Sequence, residues 1–380
     1  MSSTIYMDYA AATPLDSDVL AVMKPYYSEA FYNPSALYIG AKNVHNDISE
    51  ARASVANRLG ARPSEIIFVA GGTEANNLAI HGVMDMYPTA HLIVSAIEHE
   101  SILRPARHYS GTQVLVGEDG RVALDDLVSK IDENTVFVSV MYANNEIGTI
   151  QPIRQISGQI AQIRQQRKKA DNSLPLYLHV DACQVPLYLD LHVARLGVDM
   201  MTINGGKMYG PKQSGVLYIR TGVQIGSQTT GGGQEFGIRS GTENVPSIIG
   251  LSKAFDNACE RRSKESERMV TLQTLFFDLI SKQLPKAIVN GSRKYRLPNN
   301  IHITIPGMDN ERLVMALDEV GIQVAVGSAC SASSDKPSHV LNAIGLDDAA
   351  AQSSLRFTMG KTTDEQSIHR VVDELARLVV

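Results

Sequence analysis

The sequence predicts an α/β protein with a large domain on a central sheet and a smaller second domain. Its 380 residues are 44% hydrophobic, which is enough for a substantial core and, by the usual scaling of surface with size, for two domains. Short runs rich in β-branched residues alternate with longer stretches of helical periodicity. The runs are almost wholly apolar, as strands are when helices cover both faces of a sheet.

Six short apolar runs are the predicted strands of the sheet. In chain order they are residues 66–70, 92–97, 136–142, 177–181, 198–203 and 215–219. Helical periodicity occupies most of the intervals between them. Because open sheets of this kind bind ligands at the carboxyl ends of their strands, the polar residues that directly follow these runs are the first candidates for a site.

The second domain is predicted from the C-terminal part of the chain. A long charged amphipathic helix begins near Lys253 and runs toward Leu284, where Pro285 ends it. A strand near residues 301–305, a helix near 311–320, a loop rich in Ser and Cys at 327–337 and a terminal helix ending at Val380 follow. The basic segment 159–170 is predicted to be a solvated helix end, with a protein or RNA contact as the alternative.

Charge and composition exclude several classes of protein. The net charge of −5 leaves no broad basic face for nucleic acid or anionic lipid. Residues 1–20 contain three aspartates and no long apolar run, so they do not form a signal peptide, and no window approaches the roughly twenty apolar residues of a membrane span. Cys183, Cys259 and Cys330 have no CxxC spacing, which argues against disulfides and structural zinc and predicts a cytoplasmic protein.

A glycine-rich turn follows the first strand of the sheet. Residues 71–77 read Gly-Gly-Thr-Glu-Ala-Asn-Asn and lead into a helical pattern. Two glycines allow the backbone to approach a ligand closely, and a helix N-terminus beside the Thr73 hydroxyl favours an anion such as phosphate. The alternative is a tight strand-to-helix turn with Thr73 as its N-cap. The spacing is not that of a P-loop.

Polar side chains follow the next strands as well. His99, Asn145 and Asp181 lie at the carboxyl ends of three of them, and Lys207 follows the next in a glycine-rich turn. Each could instead cap a helix or satisfy a buried turn, but their common position predicts one shared site. A poorly solvated lysine can attack a carbonyl as an amine. Together with the phosphate turn, these groups resemble a site for pyridoxal phosphate (PLP).

The order of the motifs makes the resemblance specific. It is similar to that of the cysteine desulfurases, in particular group I, the NifS/IscS kind. The matching segments are residues 7–14, 72–74, 98–99, 145–148, 179–181, Lys207, 231–235, 239–244, 327–331, 337–338 and 353–357. The resemblance implies an α/β PLP-dependent transferase of aminotransferase fold type I. Its large mixed-sheet domain would span residues 16–252, and a smaller α+β domain, residues 1–15 plus 253–380, would carry the catalytic Cys loop.

The resemblance also implies roles around the cofactor ring. Lys207 would hold PLP as a Schiff base and later move the α-proton of the substrate. Asp181 would pair with the pyridinium nitrogen and keep it protonated, so that the ring acts as an electron sink. His99 would stack on the ring and take part in proton transfer. Gln184 would contact the phenolic oxygen.

The phosphate group of PLP is expected to bind Gly72 and Thr73, with Thr242 reaching it from the other protomer of a homodimer. The family usually has Ser or Thr at the position of Asn204 and His at that of Gly206, and both help to hold the phosphate. Asn204 is therefore the cofactor-binding candidate of this turn. The departure at Gly206 predicts weaker cofactor binding.

Other residues that match the family pattern would bind the substrate and remove its sulfur. Asn33, Asn145 and Arg356 match substrate-contacting positions, with the guanidinium clamping the α-carboxylate, and Asn145 also contacts the cofactor. Cys330, in the Ser-rich loop, would attack the sulfur of the bound substrate and retain it as a persulfide. Packing roles suit Cys183 and Cys259 better.

The predicted enzyme is a PLP-dependent cysteine desulfurase that converts L-cysteine to L-alanine, for iron–sulfur cluster assembly or tRNA thiolation. A scaffold or tRNA-thiolation protein would accept the sulfur. Selenocysteine lyase or cysteine-sulfinate lyase activity is an enzymatic alternative. A PLP-binding partner subunit without turnover is a third reading, which Gly206 favours and the presence of Lys207, Cys330 and Arg356 opposes.

Overall fold

The structure, a computed structural model, describes residues 4–327 and 337–379. Its strands are β1 (Ile5–Tyr6), β2 (Ile66–Val69), β3 (His91–Ser95), β4 (Ser110–Val114), β5 (Thr135–Ser139), β6 (Tyr177–Asp181), β7 (Met200–Asn204), β8 (Gly215–Ile219), β9 (Ile288–Val289), β10 (Asn300–Thr304), β11 (Ile322–Gln323) and β12 (Ser354–Thr358). Its helices are α1 (Ser17–Met23), α2 (Pro25–Ser28), α3 (Ile39–Leu59), α4 (Gly72–Met84), α5 (Glu100–Ala106), α6 (Leu124–Lys130), α7 (Ile153–Lys169), α8 (Val193–Leu196), α9 (Val245–Gln283), α10 (Asn310–Glu319), α11 (His339–Ala343), α12 (Asp348–Ala351) and α13 (Glu365–Val379).

A seven-stranded mixed sheet dominates the described residues. Its strand order is β2-β8-β7-β6-β5-β3-β4, in which β8 runs antiparallel to both neighbours and the other pairs are parallel. All six predicted strands are present. The sequence missed β4, because this edge strand is largely exposed and carries Ser, Gly, Thr and Gln in place of an apolar run.

Helices cover both faces of this sheet. Successive residues of a strand point to opposite faces, so Ile66 and Phe68 pack into the core beneath α3 and α9, whereas Ile67 and Val69 pack against α4 and α5. Burial on both faces explains why the strands are continuous apolar runs. The layers leave the carboxyl ends of the parallel strands open at one edge.

Two smaller sheets complete the structure. Strand β10 lies between β12 and β9, antiparallel to both, and β1 pairs in parallel with β11. The N-terminal strand therefore joins the C-terminal part of the chain. The predicted domain boundary at residue 252 falls inside α9, and this division stays a prediction.

Helix α9 is longer than the sequence indicated. It begins at Val245 rather than near residue 253, because the Asn244 side chain accepts a hydrogen bond from the Ser247 amide and a proline occupies the first turn. No helix of residues 4–327 and 337–379 is long and apolar enough to cross a bilayer. Within the same residues no cluster of His, Cys, Asp and Glu could hold a metal ion.

The basic segment 159–170 forms the C-terminal part of α7, and one of its residues departs from the prediction. Lys168 and Lys169 are exposed, as expected of a solvated helix end. Arg167 is buried, and its guanidinium donates to the backbone oxygens of Asp132, Thr135 and Pro175. It fixes α7 against the chain at the amino ends of β5 and β6. A charge count along the sequence does not reveal this role.

Candidate active site

A cavity of about 270 Å³ lies at the carboxyl ends of the central strands. The large sheet contributes residues that follow β2, β3, β5, β6 and β7, and β12 of the small sheet contributes Arg356. Nine residues predicted from the sequence line this cavity: Gly72, Thr73, His99, Asn145, Asp181, Gln184, Asn204, Lys207 and Arg356. The structure therefore brings together residues from distant parts of the sequence, from Gly72 to Arg356.

The glycine turn opens the N-terminus of α4 into the cavity. Gly71 has φ 122°, a conformation that residues with a side chain rarely adopt. A Cβ atom on Gly72 would lie 2.7 Å from the Cys183 sulfur, so this position has no room for a side chain. The N-cap is Gly71 rather than Thr73, which stands exposed in the first turn. Amides of a first turn lack helical partners, and together with the Thr73 hydroxyl they suit an anion.

Asp181 ends β6 with its carboxylate held from both sides. One oxygen accepts a hydrogen bond from the Asn76 side chain at 2.7 Å, and the other accepts from the Cys183 amide at 2.9 Å. Asn76 was not singled out in the sequence as a site residue. It lies one helical turn after Gly72 on α4, and that spacing places both residues on one face of the helix.

His99 caps α5 with its ring at the cavity wall. Its Nδ1 accepts a hydrogen bond from the Ser101 amide at 3.1 Å, which fixes Nδ1 as an unprotonated acceptor. Burial lowers the pKa of His99, the nearby Lys207 charge lowers it further, and the carboxylates of Asp181 and Glu100 oppose the shift. The imidazole is consequently neutral near pH 7, with its proton on Nε2.

Lys207 ends a 3-10 turn, Gly205–Lys207, which directly follows β7. Its ammonium donates to the backbone oxygens of Ala10 at 2.8 Å and Ala11 at 2.5 Å. Gln184 donates to the same Ala10 oxygen at 3.1 Å. The N-terminal segment thus positions two cavity side chains through its backbone.

Asn204 lies beside this turn, at the position where the sequence departs from the family pattern. Its Oδ1 accepts a hydrogen bond from the Gly206 amide at 3.0 Å, which caps the 3-10 turn. Its amide nitrogen is 3.4 Å from the position that a Cβ atom on Gly72 would occupy. The side chain therefore presents an N–H donor at the glycine turn.

Arg356 brings a buried positive charge to the cavity. It is 1% exposed, and it donates to the Asp8 carboxylate at 2.6 Å and to the Asn145 backbone oxygen at 3.1 Å. Its Nε is buried and has no hydrogen-bond partner among residues 4–327 and 337–379. A buried donor without an acceptor is costly, so the guanidinium is prepared to bind an anion such as a carboxylate.

Asn33 and Thr242 are not among the described residues that line the cavity. Asn33 is exposed, and its side chain accepts a hydrogen bond from the Ser35 amide. Thr242 is exposed and borders a different hollow, next to Glu235 and Arg239. Cys330 lies outside the described residues. Within a single described chain, neither Asn33 nor Thr242 contacts the other predicted groups.

Known proteins match the chain over nearly its full length. The family model described as "Aminotransferase class-V" matches residues 5–371. The protein named cysteine desulfurase IscS from Dictyoglomus turgidum is 40% identical, with 100% of this chain and 95% of the relative covered. A solved structure described as a NifS-like protein is 30% identical, with a TM-score of 0.90 and 99% of each chain covered. Another, described as SspA in complex with cysteine, is 34% identical, with a TM-score of 0.81 and coverages of 94% and 99%.

Proposed function

This chain belongs to the class-V aminotransferase family and, within it, to the cysteine desulfurases, and on that premise we propose that it converts L-cysteine to L-alanine and retains the sulfur on Cys330. The predicted fold class is confirmed: the chain has the α/β fold of PLP-dependent aminotransferases, with a mixed central sheet. The observation that carries the proposal is the convergence of Lys207, Asp181, His99 and Arg356 on one cavity.

The cavity has the groups that PLP requires. Enzymes of this family are PLP-dependent, and the cofactor supplies an electron sink that lets the α-proton of an amino acid leave. The N-terminus of α4, Thr73 and the Asn204 amide suit the phosphate. Asp181, already held by two donors, suits a protonated ring nitrogen, and the neutral His99 suits one face of a ring. The chemistry of this donor set fits the cofactor.

Lys207 is the residue proposed to hold the cofactor and to move the α-proton at its Nζ. Hydrogen bonds to two backbone oxygens hold this nitrogen at the cavity and restrict the motion of the flexible lysine side chain. A nitrogen that binds the cofactor must first lose a proton.

Arg356 is proposed to bind the α-carboxylate of the substrate. Asp8 and the Asn145 backbone oxygen each accept from one terminal nitrogen, which fixes the plane of the guanidinium. The buried Nε hydrogen has no acceptor among the described residues. A carboxylate placed there would satisfy this donor and orient the substrate amine toward Lys207. The proposed substrate is consequently an α-amino acid.

Sulfur removal is assigned to Cys330. Its thiolate attacks the sulfur of the bound cysteine, an S–S bond forms as the Cβ–S bond breaks, and Cβ takes up a proton to give alanine. After the predicted loop that contains Cys330, the described part of the chain resumes at residue 337, next to residues that adjoin the cavity. The Ser338 hydroxyl donates to Glu146 at 2.5 Å, and a His339 ring nitrogen lies 2.8 Å from the Glu98 backbone oxygen. Glu98 and Glu146 adjoin the cavity residues His99 and Asn145, which supports delivery of Cys330 to the substrate.

Further parts of the proposal concern partners and location. We propose a homodimer in which Thr242 and Asn33 complete the site of the other protomer, because both residues are exposed and lie outside their own cavity. A scaffold protein for iron–sulfur clusters or a tRNA-thiolation protein is the proposed sulfur acceptor. A cytoplasmic location is part of the same proposal.

Turnover of L-cysteine by the purified protein tests the function. We expect alanine and protein-bound sulfur in equal amounts, with sulfide released when a thiol reductant is added. L-Selenocysteine and L-cysteine sulfinate serve as comparison substrates. A strong preference for either would assign a lyase activity instead, and PLP binding without turnover of any of the three would support a partner subunit.

Replacing Gly206 by His should slow the loss of PLP. A Cβ atom at this position would meet Asn204 Oδ1 at 3.4 Å and Lys212 Cγ at 3.6 Å, which are ordinary contacts, so the turn can hold a side chain. An added hydrogen bond to the phosphate is worth about 1–3 kcal/mol. Absorbance during dialysis measures the loss. Gly206→Ala is the matched control, because it adds the Cβ without a donor. Equal loss rates in both variants would show that other donors already satisfy the phosphate.

A further inference from the structure

Residues 229–244, called here the Thr242 segment, contain two strained positions outside the cavity. Glu235 has φ 48° and Phe236 has φ 58°, both in the left-handed region that residues with a side chain rarely adopt. Strained backbone persists only where its surroundings hold it, and it is common at functional sites. The contacts that hold this pair therefore indicate what the segment is built to present.

The Glu235 carboxylate is buried and accepts three hydrogen bonds. Two terminal nitrogens of Arg52 donate to its two oxygens, both at 2.7 Å, and the Phe68 amide donates at 2.8 Å. The glutamate side chain is 3% exposed and the arginine side chain 11% exposed. A planar guanidinium that binds a carboxylate through two parallel hydrogen bonds fixes its orientation as well as its position.

Arg52 is itself fixed by the strand that leads to the phosphate turn. It donates to the Ile66 backbone oxygen at 2.6 Å, and its guanidinium lies 4.7 Å from the centre of the Phe68 ring. On the other side is Phe236, whose ring centre is 5.1 Å away. The arginine thus connects β2 with the strained turn through hydrogen bonds and two aromatic contacts.

A second ion pair connects the same two parts of the chain. Arg239 donates to Glu74 at 2.8 Å, in the first turn of α4, and the other oxygen of Glu74 accepts from the Ala70 amide. The Gly241 amide donates to the Gln234 side chain at 2.9 Å, which closes the segment on itself just before Thr242. The position of Thr242 is therefore set relative to the phosphate turn of its own chain.

We propose that Arg52 and Glu235 are positioning residues for the cofactor site of the partner subunit. The inference rests on the proposed homodimer with a shared site. Neither residue lines the cavity, and Thr242, at the end of the segment that they fix, is exposed outside it. Because Thr242 is held outside its own cavity, it is placed to serve a group of the other protomer in the proposed dimer. The ion pair fixes Thr242 so that it reaches the phosphate of PLP in the opposite protomer.

Two mixed dimers that carry the same substitutions test this assignment. In the first, one chain carries Glu235→Gln and the other Lys207→Ala. In the second, one chain carries both substitutions and the other none. Each dimer has a single Lys207. Borohydride treatment of samples taken during dialysis fixes the remaining PLP on that lysine and so measures the loss of PLP from a single site. We expect loss about tenfold faster in the second dimer, whose remaining site depends on the altered Thr242 segment, and loss at the parent rate in the first.

If the role of the ion pair were purely structural, the rate of PLP loss would change alike in both mixed dimers, and that result would overturn the proposal. Parent rates in both dimers would overturn it too, as would a protein that holds PLP as a monomer. Absence of PLP from the parent would instead overturn the proposed function. Arg52→Lys, which loses the paired hydrogen bonds, provides a second variant if Glu235→Gln fails to fold. Asp256→Asn is the matched control. Asp256, on α9, pairs at 2.7 Å with Arg58, which lies on α3 as Arg52 does, but neither Asp256 nor Arg58 belongs to the Thr242 segment.

Discussion

Lys207→Ala should remove both the yellow colour of the purified protein and all turnover of L-cysteine. Only an amine at this position can bind the cofactor covalently, and the backbone oxygens of Ala10 and Ala11 hold that amine at the cavity. We expect a loss of activity of several orders of magnitude, because Lys207 is the only amine among the described residues that line the cavity. The absorption spectrum and assays of alanine and sulfide measure the two effects. Borohydride reduction of the parent should fix PLP on the peptide that contains Lys207.

Lys212 provides the matched control for this prediction. It lies in the same turn region, is exposed, and donates to the Thr13 backbone oxygen at 2.8 Å, but it does not line the cavity. Lys212→Ala should keep the colour and the borohydride-fixed label. Label on Lys212, or a covalent label that Lys207→Ala still retains after borohydride treatment and denaturation, would contradict the assignment of Lys207.

The strands that carry the site could be predicted because burial on both faces leaves a strong apolar signal. Strands β6 and β8 have the predicted bounds, and β2, β3, β5 and β7 differ from their predictions by a few residues at the ends. Residues after parallel strands meet at one edge of the sheet, so His99, Asp181 and Lys207 could be brought together without any structure. Edge strand β4 could not be predicted, because exposure removes the apolar signal.

Sequence patterns could not predict the contacts that backbone groups make. Ala10 and Ala11 hold Lys207 through carbonyl oxygens that every residue type has, so their identity carries no signal. The pairing of Asp8 with Arg356 joins the two ends of the chain, which meet through the pairing of β1 with β11 and the bridge between Asp8 and Thr358. The alternative interpretation of the glycine-rich turn makes Thr73 the N-cap of α4, because hydroxyl side chains favour that position, whereas Gly71, with its positive φ, takes it.

Cys330→Ala should separate the two halves of the chemistry. The residues that hold the cofactor and the substrate carboxylate remain, so the variant should stay yellow and its spectrum should still change when L-cysteine is added. Alanine formation and protein-bound sulfur should fall to near background, since only a thiolate can accept the sulfur and retain it as a persulfide. Spectra, alanine assays and mass spectrometry of the protein measure these outcomes.

The other two cysteines provide the controls, and the structure explains why neither should replace Cys330. Cys183 is at the cavity wall, but burial, and next the Asp181 charge, raise the pKa of its thiol well above the usual value. Burial also raises the pKa of Cys259, which lies on α9 and whose sulfur is 3.1 Å from an Arg262 nitrogen. Both are therefore protonated near pH 7 and poor nucleophiles. Cys183→Ala and Cys259→Ala should retain sulfur release. Persulfide on Cys183 would overturn the assignment of Cys330, and parent rates in Cys330→Ala without any persulfide would replace the persulfide mechanism with direct lyase chemistry.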